Sequence, residues 1–225
     1  MRSIRSGVVV AGGVLACVAA VVPAAAAPVI DATDRCLVPS QRPNGQLISP
    51  ALVVRGSEFS PGGEVALRRG FREYRGPAEE GGDLAARLSV VDLIASRIPR
   101  ARTLVVRARD VDAGVLSNAV RVRVAPLAFS VSPARAEPDD RVLFRFSGFR
   151  PGRAIHAHYI LDGRLMGRQA LVRAKAPCGV AAVRRPQFPR GLARAGVWRV
   201  QFDQSARFSP RTRPRLIADI EVYPG

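Results

Sequence analysis

A long internal repeat constrains what this chain can fold into more than any other feature of its sequence. The segment EFSPGGEVAL at residues 58–67 reappears 90 residues later as GFRPGRAIHA at 148–157. At the same spacing, LVVR at 52–55 precedes the first segment and VLFR at 142–145 precedes the second. The same strand-like run therefore leads into the same corner twice, which is typical of a duplicated structural unit.

Two further matches extend the repeat over most of the chain. ARTLVVRA at 101–108 corresponds to AGVWRVQF at 195–202, now 94 residues away, and SNAVRVRVAP at 117–126 corresponds to RLIADIEVYP at 215–224. Because start, middle and end match in the same order, we predict two successive domains. The predicted domains span residues 28–126 and 127–225.

Each copy consists of short segments in which apolar and polar residues alternate, as valine and arginine do in VRVRV at 120–124. This period is typical of strands with one buried and one solvent-exposed face. Asp162-Gly163 predicts a hairpin, because both central positions of a type I′ turn need positive φ. We therefore predict an all-β fold of antiparallel sandwiches. The residues predicted to enter the two cores are Leu52, Val54, Val65, Leu67, Leu104 and Val106 in the first, and Leu143, Ile155, Ala157, Trp198, Val200 and Phe202 in the second.

The repeated Phe-x-Pro-Gly motif has two interpretations, a ligand-binding glycine loop and a structural corner. Pro61-Gly62 and Pro151-Gly152 have the residue order of a type II turn, in which proline fixes φ and glycine supplies positive φ. A phosphate-binding loop would use consecutive backbone N–H groups, and proline removes one. We therefore predict turns, with Phe59 and Phe149 filling the end of each core.

The motifs Gly-Ser-x-Phe-x-Pro-Gly-x-x-Val-x-Leu at 56–67 and Ser-Asn-Ala-Val-x-Val-x-Val at 117–124 resemble those of bacterial immunoglobulin-like modules. Such modules occur in secreted and envelope proteins of bacteria with GC-rich genomes. The resemblance implies two tandem immunoglobulin-like antiparallel β-sandwich domains. The chain departs from antibody domains because neither copy has its own cysteine pair and the single tryptophan, Trp198, lies on a late strand.

The N terminus has the layout of a secretory signal. Arg2 and Arg5 precede an uncharged stretch that closes in small residues, so we predict a signal peptide at residues 1–27. A retained anchor is the alternative, because the stretch exceeds the roughly 18 residues typical of a membrane span. Lipidation at Cys17 is a third interpretation, although the apolar run continues past that residue. We expect a secreted or extracytoplasmic protein associated with the cell envelope.

The chain is strongly basic, with a formal net charge of +17. We expect such a surface to bind polyanions, either an anionic envelope polymer or an anionic lipid surface, and no dedicated nucleic-acid motif is present. The candidate polyanion-binding segment is RRGFREYRG at 68–76, in which Arg68, Arg69, Arg72 and Arg75 are interspersed with aromatic residues. The alternative is a hairpin whose charges keep its edge from pairing with another chain. A second basic stretch, 207–215, is expected to be an exposed loop.

The two histidines, His156 and His158, form a His-x-His pair on one face of a predicted strand. Two imidazoles on one face suit copper or zinc, so an exported metal-handling or redox protein is the alternative function. The repeat aligns both histidines with the polar face of the first copy. We therefore expect a solvent-exposed pair.

Two cysteines, Cys36 and Cys178, remain after the signal peptide. An oxidising compartment favours a disulfide between them, but the sequence leaves open whether the domains bring them together. Cys178 as a nucleophile partnered by a histidine is the alternative, and no catalytic motif of a known hydrolase or transferase accompanies it. We therefore expect a non-enzymatic binding or scaffold protein without a cofactor.

Overall fold

The structure is a computed structural model that describes residues 26–223, so Cys17 and almost all of the predicted signal peptide lie outside the described residues. Apart from one short helix, α1 (Val91–Ile94), its regular structure is β. The strands of the first half are β1 (Val29–Ala32), β2 (Cys36–Leu37), β3 (Ser40–Gln41), β4 (Leu47–Ile48), β5 (Ala51–Ser57), β6 (Glu64–Arg69), β7 (Arg72–Pro77), β8 (Leu84–Ser89), β9 (Arg102–Asp110) and β10 (Val120–Val124). Those of the second half are β11 (Ala128–Ser132), β12 (Arg141–Ser147), β13 (Ala154–Leu161), β14 (Arg164–Arg173), β15 (Ala181–Pro186), β16 (Gly196–Asp203) and β17 (Arg215–Val222).

The sheets divide at Pro126, because each sheet takes its strands from one side of that residue. The first half has sheets ordered β1-β5-β8 and β2-β10-β9-β6-β7, with β3 and β4 as a separate hairpin. The second half has sheets ordered β11-β12-β15 and β14-β13-β16-β17. All strand pairs are antiparallel except β2 with β10, which is parallel. The prediction of an all-β, mainly antiparallel fold is confirmed.

Each half buries its own apolar cluster, formed by the inward faces of its two larger sheets. The predicted core residues of the first half are all buried, and Trp198 is completely so. Leu143 is the exception, since it is half-exposed while its neighbours Val142 and Phe144 are buried. The prediction for Leu143 was wrong because it placed the residue on the wrong face of β12, one position out of the two-residue period.

The two Phe-x-Pro-Gly corners are turns, as predicted. Gly62 has a φ of 67° and Gly152 one of 79°, and in the first corner the Gly63 N–H donates to the Ser60 carbonyl at 2.9 Å. Phe59 and Phe149 are buried. The hairpin at Asp162-Gly163 is also confirmed, with φ values of 49° and 75°.

Both corners are held by a side chain from the same place in the repeat. Asp110 accepts the Ser60 N–H at 2.6 Å. In the second half, Gln204 accepts the N–H of Arg150, the residue equivalent to Ser60, at 2.8 Å. A carboxylate and an amide therefore perform the same structural role in the two copies.

A disulfide and several hydrogen bonds, one of them from the Arg215 N–H to the Gln41 side-chain oxygen at 2.9 Å, join the halves. A disulfide connects Cys36 in β2 to Cys178, which follows β14, with 5.6 Å between the α-carbons. The side chain of Arg213 donates to the carbonyls of Arg42 and Pro43 in the loop between β3 and β4. Among residues 26–223, no helix has the length and apolar character needed to cross a membrane.

Candidate functional site

The arginine-rich hairpin formed by β6 and β7 is partly neutralised by its own carboxylates, Glu64 and Glu73. Arg75 contacts Glu73 at 2.8 Å and Glu64 at 3.4 Å. Glu73 also lies 3.7 Å from Arg68. These pairs are exposed and contribute little stability, but they lower the positive potential at this hairpin.

Arg69 does not reach the protein surface. Its side chain is only 3% exposed and contacts Asp92, at the start of α1, at 3.1 Å. Burial opposes ionisation of Asp92, but hydrogen bonds and the charge of Arg69 outweigh it and hold the pKa of Asp92 below its usual value. The inclusion of Arg69 in a polyanion-binding set is therefore corrected, because β6 turns this side chain inward and Arg68 outward.

A larger basic surface lies on the outer face of the five-stranded sheet. We call it the arginine stripe, and it consists of Arg68, Arg107, Arg109, Arg121 and Arg123, all exposed. Arg68 lies directly opposite Arg107. Arg121 lies opposite Val105, which places it diagonally beside Arg107. Like charges at neighbouring cross-strand positions repel each other, so the fold retains this arrangement at some cost in stability.

The arginine stripe has few acidic neighbours. Four of its members, the arginines of β9 and β10, have no carboxylate oxygen within 4.0 Å in the part of the chain that the structure describes. At about 3.4 Å per residue, the stripe runs for about 20 Å along the strands. A row of guanidinium groups of this length matches a linear anion better than a compact one.

His158 is fully buried, which corrects the prediction that both histidines face solvent. Its Nε2 atom lies 3.1 Å from the Ser205 carbonyl oxygen and 3.4 Å from Asp203 Oδ1. The ring of Phe208 covers it, with centroids 5.7 Å apart. The segment 204–214, which contains most of the stretch 207–215 predicted to be an exposed loop, folds back over this part of the sheet. The first copy has no loop of that length to indicate this.

A buried polar network surrounds His158. Gln201 donates to Asp203 Oδ2 at 2.6 Å, and the Ser205 N–H donates to Asp203 Oδ1 at 2.7 Å. His156 is only partly buried, and burial, followed by the nearby His158, lowers the pKa of His156. Within residues 26–223, no three His, Cys, Asp or Glu side chains are arranged to hold a metal ion. The Ser205 carbonyl and the Phe208 ring, both in the covering segment 204–214, contact His158.

Cys178 is engaged in the disulfide with Cys36 and is 1% exposed. A sulfur in a disulfide has no thiolate to act as a nucleophile. The nucleophile interpretation of Cys178 is therefore corrected for the oxidised protein described here.

An open groove of about 910 Å³ lies in the second half between β11 and β17, the outer strands of its two sheets. Apolar side chains from both sheets line it, among them Phe129, Val131 and Ile220. Two exposed carboxylates, Glu137 and Glu221, are among its lining residues. The sequence did not indicate this groove, because no pattern within one strand shows whether a neighbouring strand covers it.

Comparison with known proteins adds little. No protein-family model and no curated protein matches the sequence. The human OSCAR ligand-binding domain resembles the structure at 11% identity and a TM-score of 0.32, covering 87% of this chain and 97% of that one. A proposed carbohydrate-binding protein of Bacteroides uniformis is similar at 13% identity and a TM-score of 0.24, covering 84% and 100%. These two structural similarities are too weak to support a conclusion about function.

Proposed function

We propose that the chain is an exported, non-enzymatic binding or scaffold protein of two tandem immunoglobulin-like domains, at residues 28–126 and 127–225. It associates with the cell envelope by electrostatic attraction to an anionic polymer or an anionic lipid surface. The observation that carries this proposal is the arginine stripe, which places exposed arginine side chains side by side on one face of the five-stranded sheet. The duplicated two-layered architecture and the cationic, apolar N-terminal segment support the domain assignment and export.

The expected binding mechanism is counterion release. A linear polyanion carries condensed cations, and each arginine contact displaces some of them, so affinity falls steeply with salt. The logarithm of the binding constant changes with the logarithm of salt concentration by roughly 0.7 to 0.9 per contact on nucleic acids, which serve as a guide for other linear polyanions.

The test is binding of the mature protein to polyphosphate, to phosphatidylglycerol vesicles and to phosphatidylcholine vesicles across a salt series. The stripe variant Arg107→Gln/Arg109→Gln/Arg121→Gln/Arg123→Gln is compared with a control of equal charge. The control replaces the exposed arginines at 97, 150, 164 and 190, which lie on separate segments outside the five-stranded sheet, with glutamine.

The slope of the logarithm of the binding constant against the logarithm of salt concentration should become about 3 smaller in magnitude in the stripe variant, as four lost contacts predict. In the control variant it should change by less than about 1. Phosphatidylcholine should not bind. Binding to polyphosphate alone would identify the partner as a polymer, and binding to phosphatidylglycerol alone would identify it as a lipid surface. If both variants reduce the salt dependence equally, the arginine stripe is not the binding surface. If binding does not depend on salt, the electrostatic mechanism is wrong.

A further inference from the structure

The two copies treat the edge of their last strand differently. In the first half β2 lies beside β10, with the N–H groups of Arg123 and Ala125 donating to the carbonyls of Arg35 and Leu37, each at 3.0 Å. Leu37 is 3% exposed and enters the core. The added strand therefore closes the gap between the two sheets of the first half.

The equivalent strand of the second half, β17, is the last strand of its sheet, and no strand within residues 26–223 pairs with its outer edge. The segment 133–140 follows β11 as β2 follows β1, but it makes no backbone hydrogen bond to β17. Val122 and Val124 of β10 are each 1% exposed, whereas Ile220 and Val222, their equivalents in β17, are only half-buried. The groove between β11 and β17 thus occupies the place that β2 fills in the first half.

The free edge presents backbone groups that an added strand could use. The Arg215 N–H donates to the side-chain oxygen of Gln41 at 2.9 Å, so its hydrogen-bonding direction is away from β16. This direction alternates along a strand, so the N–H and C=O groups of Ile217, Asp219 and Glu221 point the same way. Gln41 covers only the start of the edge.

The charge of this edge is opposite to that of its equivalent in the first half. Asp219 and Glu221 stand where the first copy has Arg121 and Arg123. Glu137 and Asp140 also line the groove, and the only basic residue among the lining residues is Arg135. The groove is therefore a locally acidic site on a chain whose net charge is +17.

We propose that this groove and edge bind an extended segment of a partner protein by strand addition. Alternate apolar side chains of the segment enter the groove, and its arginine or lysine side chains face Asp219 and Glu221. A second copy of the chain fits less well. Antiparallel pairing of two β17 strands about the uncovered part of the edge sets Asp219 against Asp219, and like charges directly opposite are destabilising.

The test uses three kinds of blocked eight-residue peptide with the mature protein. One alternates valine with arginine, one alternates valine with glutamate, and a pair of arginine peptides carries N-methyl groups on one or the other set of alternate amides. The overall charge of the protein favours the glutamate peptide, whereas the groove favours the arginine peptide. We expect the arginine peptide to bind at least tenfold more tightly, and only one of the two methylated peptides to lose affinity at least tenfold.

The matched variants are Asp219→Lys/Glu221→Lys and, as a control of equal charge, Glu79→Lys/Glu80→Lys in an exposed loop of the first half. The first should weaken binding of the arginine peptide at least tenfold, and the control less than threefold. Asp219 and its partner Arg199 are each more than half exposed, at 57% and 62%, so loss of this pair should leave folding intact.

Tighter binding of the glutamate peptide, equal effects of the two methylated peptides, or no binding at millimolar concentration would overturn the proposal. Sedimentation of the protein without peptide provides a further check. A dimer that the arginine peptide dissociates would replace the partner segment with a second copy. Amide exchange slowed by the arginine peptide at Ile217, Asp219 and Glu221, but not in β10, would support strand addition at this edge.

Discussion

Removing either member of the Arg69–Asp92 ion pair should destabilise the first half, but by unequal amounts. The Arg69 side chain is 3% exposed and the Asp92 side chain 37%. The two terminal nitrogens of Arg69 donate to Asp92 Oδ1 at 3.2 and 3.1 Å. The buried cation therefore depends on Asp92, whereas water can solvate Asp92 when Arg69 is absent.

This difference in exposure between Arg69 and Asp92 determines how much each substitution should lower the free energy of unfolding. Asp92→Ala leaves a buried charge without its counterion, which costs about 3 to 5 kcal/mol. Arg69→Met leaves a carboxylate that water can reach and fills the space with an apolar side chain, so we expect a cost below about 2 kcal/mol. The double variant should be more stable than Asp92→Ala alone, because the uncompensated cation is gone. Arg72→Gln is the control, since Arg72 is 62% exposed and 4.0 Å from Asp92, and it should change stability by less than about 0.5 kcal/mol.

The assay is urea unfolding of the oxidised protein. Far-ultraviolet circular dichroism follows both halves, and fluorescence of Trp198, the only tryptophan, follows the second half alone. For a unit of about 100 residues, 3 kcal/mol corresponds to a fall of at least about 12 °C in Tm, which provides a second measurement. An Asp92→Ala variant no less stable than Arg69→Met, or a double variant less stable than Asp92→Ala, would refute the reasoning.

Two further predictions concern the first half. Gly82→Ala should lower the free energy of unfolding by about 2 kcal/mol more than Gly62→Ala does. Both glycines have positive φ, so the backbone strain is similar at the two positions. A Cβ at Gly82 would lie 2.5 Å from the Phe59 carbonyl oxygen, whereas a Cβ at Gly62 would meet nothing within 4 Å. Equal urea midpoints of the two variants would contradict this steric explanation. Burial opposes ionisation of Asp110, but N–H donors from Ala113 and Ser60 outweigh it and lower its pKa. Its stabilising contribution is therefore complete above the ordinary aspartate pKa of about 3.9 and is lost as pH falls through the lower folded value. Asp110→Asn should flatten the acid side of the stability profile, and an unchanged acid side would exclude this role.

The local features of the fold could be predicted because they depend on short-range chemistry. Proline and glycine at 61–62 and 151–152 require particular φ values, and Asp162-Gly163 requires two positive ones, so these turns follow from the residues themselves. The two-residue alternation in β9 and β10 likewise placed Leu104, Val106 and the arginines on opposite faces. Comparison of the two copies then extended these predictions to a duplicated unit on either side of Pro126.

The candidate sites depended on contacts between distant segments, and there the sequence was insufficient. The arginine-rich run at 68–76 placed Arg69 in the binding set, and alignment of the two copies placed His158 in solvent. In the structure Arg69 is buried and pairs with Asp92 of α1, and the segment 204–214 covers His158. Adjacent positions of Arg107 and Arg121 follow from the pairing of β9 with β10, which no single-strand pattern specifies.

The sequence by itself determined the repeat, the strand period, the corners and the excess of positive charge, because each is a property of neighbouring residues or of composition. The tertiary structure alone decided which arginines lie together, which cysteines meet, and that β17 keeps an open acidic edge while β10 is covered by β2. The physical reason is that burial and electrostatic potential depend on all atoms within several ångströms. In a β fold most of those atoms belong to residues far away in the chain.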